Sequence, residues 1–593
     1  MNRTSIRTTP RTEAPAAEAG FFSGNGSRPR FGWLHRAGVP ATGIGLVIVP
    51  PFGYEAICAQ RTLRHLAEEA AQAGVTAVRV DLDGTGNSAG DDLDPQRLEC
   101  WLASIDDACE LARSAGADRL VLAGIRLGAT LATMAACRRH DVAGLVAIAA
   151  VPSGKALLRE GRLLQMTLGL TPAPADVPEG TDGTQELVGF ALTASTRAAL
   201  GALDLCQLTS APAPAVLLLD RDDLAGNDAW SAQLASLGVE VDQRRLPGYV
   251  EMVLDPHRAQ IPRQIIDATV AFARARPLPG GDAARQREAA LPMARVALDG
   301  RDAPVSEEAV WLDECLHAMV TRSAAPPRRG VILLNAGAVG QIGPNRLHVV
   351  LARRLAAAGD LVVRLDVSGI GDSRVRAGAE ENVVYSVHAI ADVGMAVDWV
   401  RRNGVAQVAV VGLCSGAYHG FKAALAGQPI DTLVAINPLT FHYKIGMPLD
   451  FAAFRVAADA MRYRKSIASG SSWRKLLRGQ VDLVRVARVL LHRVHGAVNR
   501  PLREAMRRLG IPLADDLGSE LDVLARRGVA LRFIFAEGDP GQQLLAEQGG
   551  SVVRRLAAGG KLGVRIIPGT DHTFTARWAH PVVLDAICEA LDR

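Results

Sequence analysis

The sequence predicts an α/β protein built from two tandem domains, each a mainly parallel sheet with helices on both faces and an insertion before its late strands. Three observations predict it. Short runs rich in Val, Ile and Leu alternate with stretches of helical periodicity, as in GIGLVIVPPFGYE (43–55), RTLRHLAEEAAQAG (61–74) and GVTAVRVDLDGTGNSAG (74–90). That alternation is expected of strands buried on both faces and joined by crossover helices. The order of segments then returns in the second half, where RGVILLNAGAVGQIG (329–343), GDLVVRLDVSGIGDS (359–373) and AQVAVVGLCSGAYHG (406–420) follow one another as 43–55, 74–90 and DRLVLAGIRLGATLA (118–132) do. Asp81, Gly84, Gly86 and Ser88 correspond to Asp366, Gly369, Gly371 and Ser373, and Arg126 to Cys414. A repeat approaching half of a 593-residue chain is far too long for a solenoid, so the copies are domains. Composition agrees, because aromatics make up only 4% while Gly reaches 58 residues, which favours closely packed α/β layers over an aromatic-rich sandwich.

Residues 1–23 read as a disordered lead-in and 24–275 as the first domain, with its insertion over about 151–210. RARPLPGGDAARQREAALP supplies charge, Gly and Pro without a convincing strand, which places a linker at 276–289. The second domain is then 290–593, with an insertion over about 440–525, and MARVALDG together with the segment reaching TRSAAPPRRG is expected to give leading antiparallel strands. Insertions at the carboxyl end of such a sheet can shape a pocket.

Several function classes are disfavoured at this level. With 66 Lys and Arg against 62 Asp and Glu, the net charge of +4 gives no global case for nucleic acid. Eight cysteines show neither CxxC pairs nor a metal-ligand cadence, so a reducing cytoplasm is the expected compartment and no structural metal is expected. The amino terminus lacks an apolar signal core, and no uninterrupted apolar run reaches the roughly 18 residues of a membrane span. Neither Gly-rich segment sets G-x-G-x-x-G between a strand and a helix, so no dinucleotide site is expected.

The chemistry centres on Cys414. In VAVVGLCSGAYHGFKAALAG an apolar strand ends in G-L-C-S-G and a small-residue helix follows, which is the setting of a sharp strand–turn–helix nucleophile elbow. A thiol at a helix amino end is favoured as thiolate by the dipole and the free N–H groups there. Such a nucleophile wants a base and an orienting acid. VALRFIFAEGDPGQQ (529–543) leaves Asp539 on the loop after a strand, with Glu537 as competitor, and KLGVRIIPGTDHTFT (561–575) leaves His572 on a turn, with Asp571 beside it. The order Cys414, Asp539, His572 is the nucleophile–acid–base order found with such elbows. Backbone donors for a developing oxyanion are expected at Ser415 and, in NAGAVG (335–340), at Gly337 or Ala338. His388 and His419 read as structural, and no HExxH or compact His/Asp cluster supports a metal.

With these motifs the chain resembles the α/β-hydrolase family over about 24–275 and 290–593, more narrowly its serine aminopeptidase and monoacylglycerol-lipase-like branch. The resemblance implies that the nucleophile role passes to Cys414 within Gly412–Gly416, the acid role to Asp539 and the base role to His572. The family's His-Gly at the oxyanion loop is replaced by Asn335-Ala336. The implied activity is cysteine-dependent acyl transfer on an ester or thioester, as in a biosynthetic thioesterase or acyltransferase. Hydrolysis of small esters or peptides, and a noncatalytic scaffold for acylated partners, are the alternatives. No bound cofactor is expected, and CoA or a phosphopantetheine-linked carrier is the expected form of a thioester substrate.

The first domain departs from the pattern. Arg126 stands at its elbow, and a guanidinium cannot carry an acyl group. Glu251 stands where the second copy has His572, with Asp223 as the match for Asp539, so this copy is expected to be noncatalytic. Arg126 at a helix amino end suits a carboxylate or phosphate, or else an internal salt bridge. Finally, residues 461–500 hold ten Lys or Arg against one acid, Asp482, which would suit an acidic acyl carrier protein, an anionic membrane or a solvated face.

Overall fold

The computed structural model describes residues 17–23, 28–38, 40–167, 183–276, 296–298, 304–447, 506 and 513–592. The expected linker, apart from its first residue, and the basic segment 461–500 lie outside the described residues. The chain forms two compact units, one around each of two large sheets.

The first unit contains β1 (Ala17–Phe22), β2 (Arg30–His35), β3 (Ile44–Val49), β4 (Thr76–Val80), β5 (Arg119–Ile125), β6 (Val142–Ile148), β7 (Gln185–Leu187), β8 (Phe190–Leu192), β9 (Ala215–Arg221) and β10 (Glu240–Leu246). Its large sheet runs β1-β2-β4-β3-β5-β6-β9-β10. Pairing is antiparallel between β1 and β2 and between β2 and β4, and parallel from β4 to β10. The central strands β3, β4 and β5 are dominated by Val, Ile, Leu and Ala because both their faces are covered. The helix Arg97–Ser114 lies on one face, where Trp101 is fully buried and donates its indole N–H to Asp83 O at 3.1 Å.

One expectation is corrected here. Residues 17–22 are not part of a disordered lead-in but form an edge strand in register with β2, where Phe21 lies opposite Phe31. Two aromatic residues at the end of an otherwise small-residue run give little periodicity, yet Phe21 and Phe22 are buried and supply the apolar area that orders the strand.

The second unit is built on the sheet formed by β11 (Val296–Leu298), β12 (Val305–Trp311), β13 (His317–Arg322), β14 (Gly330–Leu334), β15 (Leu361–Leu365), β16 (Val408–Leu413), β17 (Thr432–Ile436), β18 (Ala530–Ala536) and β19 (Leu562–Ile567). Its sheet runs β11-β12-β13-β15-β14-β16-β17-β18-β19, antiparallel between β13 and β15 and parallel from β15 to β19. From β12 onward this order repeats the first sheet strand for strand, and it is the order of the α/β-hydrolase fold. In both sheets the connection reverses direction beside β3 and β14, which opens a crevice at the carboxyl ends of the neighbouring strands.

The insertions differ from their expected outlines. In the first unit, 151–210 contains the helix Gly154–Thr167, the β7–β8 hairpin and the helix Ala194–Gly201. In the second, the end of the expected 440–525 insertion is the helix Leu517–Arg526, which buries Leu517, Leu521 and Leu524 in the core. Its apolar residues at i, i+4 and i+7 belong to a core-facing stripe, so the insertion proper ends before it.

The corresponding Asp81 and Asp366 motifs are structural turns. Asp366 Oδ2 accepts from Asp372 N–H at 3.0 Å, while Ser373 Oγ donates to Asp366 O and accepts from His317 N–H. Asp81, Asn87, Ser88 and Phe31 make the same set of bonds in the first unit. At Gly86 and Gly371 φ is positive and an added Cβ would strike the aspartate carboxylate, which explains the glycines.

Candidate active site

β16 ends at Leu413, and the helix Ser415–Leu425 begins two residues later, with Cys414 alone making the turn at φ 60° and ψ −116°. This backbone conformation is costly for a residue with a side chain and points to a functional constraint. It is fixed by a hydrogen bond from Cys414 N–H to Ile436 O at 2.9 Å and by two close approaches. A Cβ on Gly412 would come within 2.2 Å of Gly416 C, and one on Gly416 within 2.7 Å of Asn335 O. The flanking glycines are therefore steric requirements of the elbow.

The other two residues arrive from strand ends. Asp539 follows β18 and caps the helix Pro540–Ala558, accepting from Gly541 N–H at 2.8 Å through Oδ1. Its Oδ2 accepts from His572 Nδ1–H at 2.6 Å. With Nδ1 so engaged, Nε2 is the nitrogen that the His572 ring offers to Cys414. Burial pushes the imidazole pKa down, but the hydrogen bond with Asp539 and the influence of Cys414 raise it to about 10. The direction of that shift favours the protonated imidazole, held by the Asp539 carboxylate.

The competing acids have other partners. Glu537 is exposed and accepts from Gly569 N–H at 3.2 Å. Asp571 holds the turn that carries the histidine, accepting from Thr575 N–H and Oγ1–H, each at 2.6 Å, and from Thr573 Oγ1–H at 3.1 Å.

Two neighbours went unread in the sequence. Asn437, immediately after β17, donates through Nδ2 to His572 O at 2.6 Å and accepts from Ala536 N–H at 2.8 Å, so one fully buried amide ties the histidine turn to the end of β18. Its signal was the Asn437-Pro438 pair directly after a strand. Tyr385, beside the helix that Cys414 opens, had no such signal.

The oxyanion loop also holds a surprise. Gly337 N–H does not stand open but donates to Ser415 Oγ at 2.9 Å. Asn335, buried, accepts from Val367 N–H at 2.8 Å and donates to Asp366 and to Val339 O, binding the loop to the Asp366 turn. The expectation that Gly337 supplies an oxyanion donor is corrected for this state, leaving Ser415 N–H and Ala338 as the backbone candidates.

In the first unit the same elbow carries different chemistry. Arg126 has φ 56° and ψ −119°, and its N–H donates to Ile148 O at 2.9 Å. Gly124 and Gly128 are as tightly confined as Gly412 and Gly416. The guanidinium pairs with Glu55 at 3.2 Å and with Glu160, and it lies 5.9 Å from the centroid of the Tyr249 ring. Tyr249 in turn donates to Glu55 at 2.9 Å. The internal salt bridge, not an open anion site, is what the structure places at Arg126. Asp223 is exposed and pairs with Arg221 at 2.6 Å, and Glu251 is exposed, so the residues at the acid and base positions do not converge on the elbow.

The remaining cysteines are free, and burial raises Cys58 and Cys109 to about 12. Among the described residues no helix is long and apolar enough to cross a membrane. His388 lies in the turn before the helix Ala389–Arg402 rather than within it, and His419 is buried with its pKa pushed down to about 4.

No protein-family model and no curated protein matches the sequence. Solved structures do. The chain is similar to DcsB, solved in complex with its substrate analogue, at 15% identity and TM-score 0.33, over 44% of this chain and 99% of that one. It is similar to Est1E from Butyrivibrio proteoclasticus, solved with bound ferulic acid, at 19% identity and TM-score 0.33, over 42% and 96%. A putative hydrolase from Agrobacterium vitis S4 is similar at 20% identity and TM-score 0.30, over 44% and 100%.

Proposed function

We propose that the second unit catalyses acyl transfer from an ester or thioester through an acyl-Cys414 intermediate. The observation that carries this reading is the Asp539–His572 pair, with Asp539 Oδ2 and His572 Nδ1 2.6 Å apart, in a unit whose strained elbow carries Cys414. His572 takes the thiol proton, and the thiolate attacks the carbonyl carbon to give a tetrahedral intermediate. Collapse breaks the bond to the leaving oxygen or sulfur, which receives the proton back from His572. Water then completes hydrolysis, or an amine or alcohol completes transfer, with His572 again accepting a proton.

A thioester donor suits a cysteine nucleophile because thiolate attack exchanges one thioester for another of similar energy. Acyl-CoA and an acyl carrier protein both present such a group, and the basic segment 461–500 complements the acidic surface of a carrier. The first unit has no nucleophile at its elbow, which supports a noncatalytic role for it. Incubation of wild type and Cys414→Ala with matched acyl-CoA, acyl-carrier and simple ester panels, read by intact-protein mass, tests the reading. An acyl mass on wild type only, chased by water or an added amine, is expected. Equal turnover by both proteins with no adduct would exclude the mechanism.

A further inference from the structure

Tyr385 sits in the turn segment that precedes the helix Ala389–Arg402. It is 6% exposed, and its hydroxyl makes no hydrogen bond among the described residues. A buried hydroxyl without a partner calls for a reason.

The ring is held from three sides. It stacks on Tyr443 with centroids 4.3 Å apart and planes at 15°, meets Tyr418 edge-on at 5.1 Å and 83°, and meets His419 at 6.0 Å and 69°. Tyr418 lies four residues past Cys414, one turn along the helix that the cysteine opens, so it shares a face with the elbow. Tyr385 is therefore fixed beside the elbow by a packed aromatic wall. Burial foremost, and then repulsion by Cys414, Tyr418 and Tyr443, raise its pKa well above the ordinary phenol value, so it is a hydrogen-bond donor throughout the physiological range. Cys414 is among the groups that raise the phenol's pKa, and the two form no hydrogen bond. Meanwhile Gly337 N–H is engaged by Ser415 Oγ.

We propose that the Tyr385 hydroxyl is a side-chain member of the oxyanion hole, donating to the carbonyl oxygen of the acyl group as Cys414 attacks it. The proposal rests on the reading of Cys414 as nucleophile. It accounts for the unmatched hydroxyl, whose acceptor arrives only with substrate, and it supplies a donor where Gly337 is already committed. The aromatic wall supplies the fixed orientation that a donor needs when charge develops on the substrate oxygen. It also confines this role to substrates with a carbonyl oxygen, whatever the leaving group.

The test compares two reactions of the same sulfur. Wild type and Tyr385→Phe are treated separately with p-nitrophenyl acetate and with iodoacetamide, and labelling of the Cys414 peptide is followed by mass spectrometry. Acylation develops an oxyanion, and alkylation does not. Tyr385→Phe is expected to acylate about 10- to 10³-fold more slowly, to alkylate within about two-fold of wild type, and to melt at the same or a higher temperature because only an unpartnered hydroxyl is removed. An unchanged ratio of acylation to alkylation overturns the proposal and leaves Cys414 as nucleophile. Labelling by neither reagent in wild type overturns the nucleophile reading and this proposal with it. A Tyr385→Phe protein that melts lower and loses both reactions in parallel assigns the hydroxyl to packing, which also overturns the proposal.

Discussion

At the scale of single residues, the raised pKa of His572 has consequences that can be measured. A histidine whose folded pKa is about 10, against about 6.5 unfolded, contributes stability that is fully present below about 6.5 and is lost as pH rises through about 10. Wild type is therefore expected to lose melting temperature between pH 6.5 and 10 relative to His572→Gln, in which that contribution is absent. Parallel thermal scans across the range would show the two curves converging at the alkaline end. Reactivity of the cysteines offers a second test. Iodoacetamide at low stoichiometry is expected to label Cys414 ahead of Cys58 and Cys109, whose thiols burial holds at about 12. His572→Ala should lower acylation of Cys414 by about 10²–10⁴-fold, read as the rate of acyl-mass gain.

The order of residues and the resemblance favour Asp539 as the acid, but they do not show its contact with His572. Glu537, Asp539 and Asp571 all sit on loops after strands, and the distinction arises from where each side chain ends. Asp539 reaches His572 at 2.6 Å, whereas Asp571 is engaged by Thr573 and Thr575. Asn437 shows the same limit, since it acts on a residue 135 positions away.

At the scale of elements, the elbow is a backbone device that works with any side chain at its tip. Cys414 and Arg126 share φ near 60° and ψ near −118°, and in both cases the flanking glycines admit no Cβ. Gly416→Ala is expected to push the helix Ser415–Leu425 away from Asn335 O, at a cost of about 1–3 kcal/mol by overpacking, and to abolish acylation of Cys414. Denaturant melts and acyl-mass gain check the two parts. The glycine pattern was legible because both steric conflicts lie within a few residues or at the adjacent strand end. The Asp366 turn was legible as a repeated motif but not as a structural one, because its purpose lies in the bonds it closes with Asn335, Asp372 and His317. Likewise, β1 was missed because its order comes from pairing with β2 rather than from its own pattern.

At the scale of the whole molecule, one strand order occurs twice while the residues at the two elbows differ. In the first unit Arg126, Glu55, Glu160 and Tyr249 form a closed network at the elbow where the second unit carries Cys414. Arg126→Ala is expected to destabilise that unit by about 1–2 kcal/mol, discounted for the solvent exposure of both carboxylates, and to leave acylation of Cys414 unchanged. Hydrogen exchange of peptides spanning β5 and the helix Leu127–Cys137, alongside acyl-mass gain, would read the two effects separately.

The sequence by itself determined the fold class, the two copies of one strand order, the elbow at Cys414 and the loops from which its partners come. Those features depend on local chemistry: apolar periodicity that marks buried strands, and glycines that a tight turn demands within five residues. Only the tertiary structure showed that Asp539 reaches His572 while Glu537 does not, that Gly337 is held by Ser415, that Arg126 is neutralised from within, and that the Tyr385 hydroxyl has no hydrogen-bond partner among the described residues. Each of these depends on where side chains from separate strand ends converge, and a hydrogen bond forms or fails over a fraction of an ångström that sequence spacing does not encode.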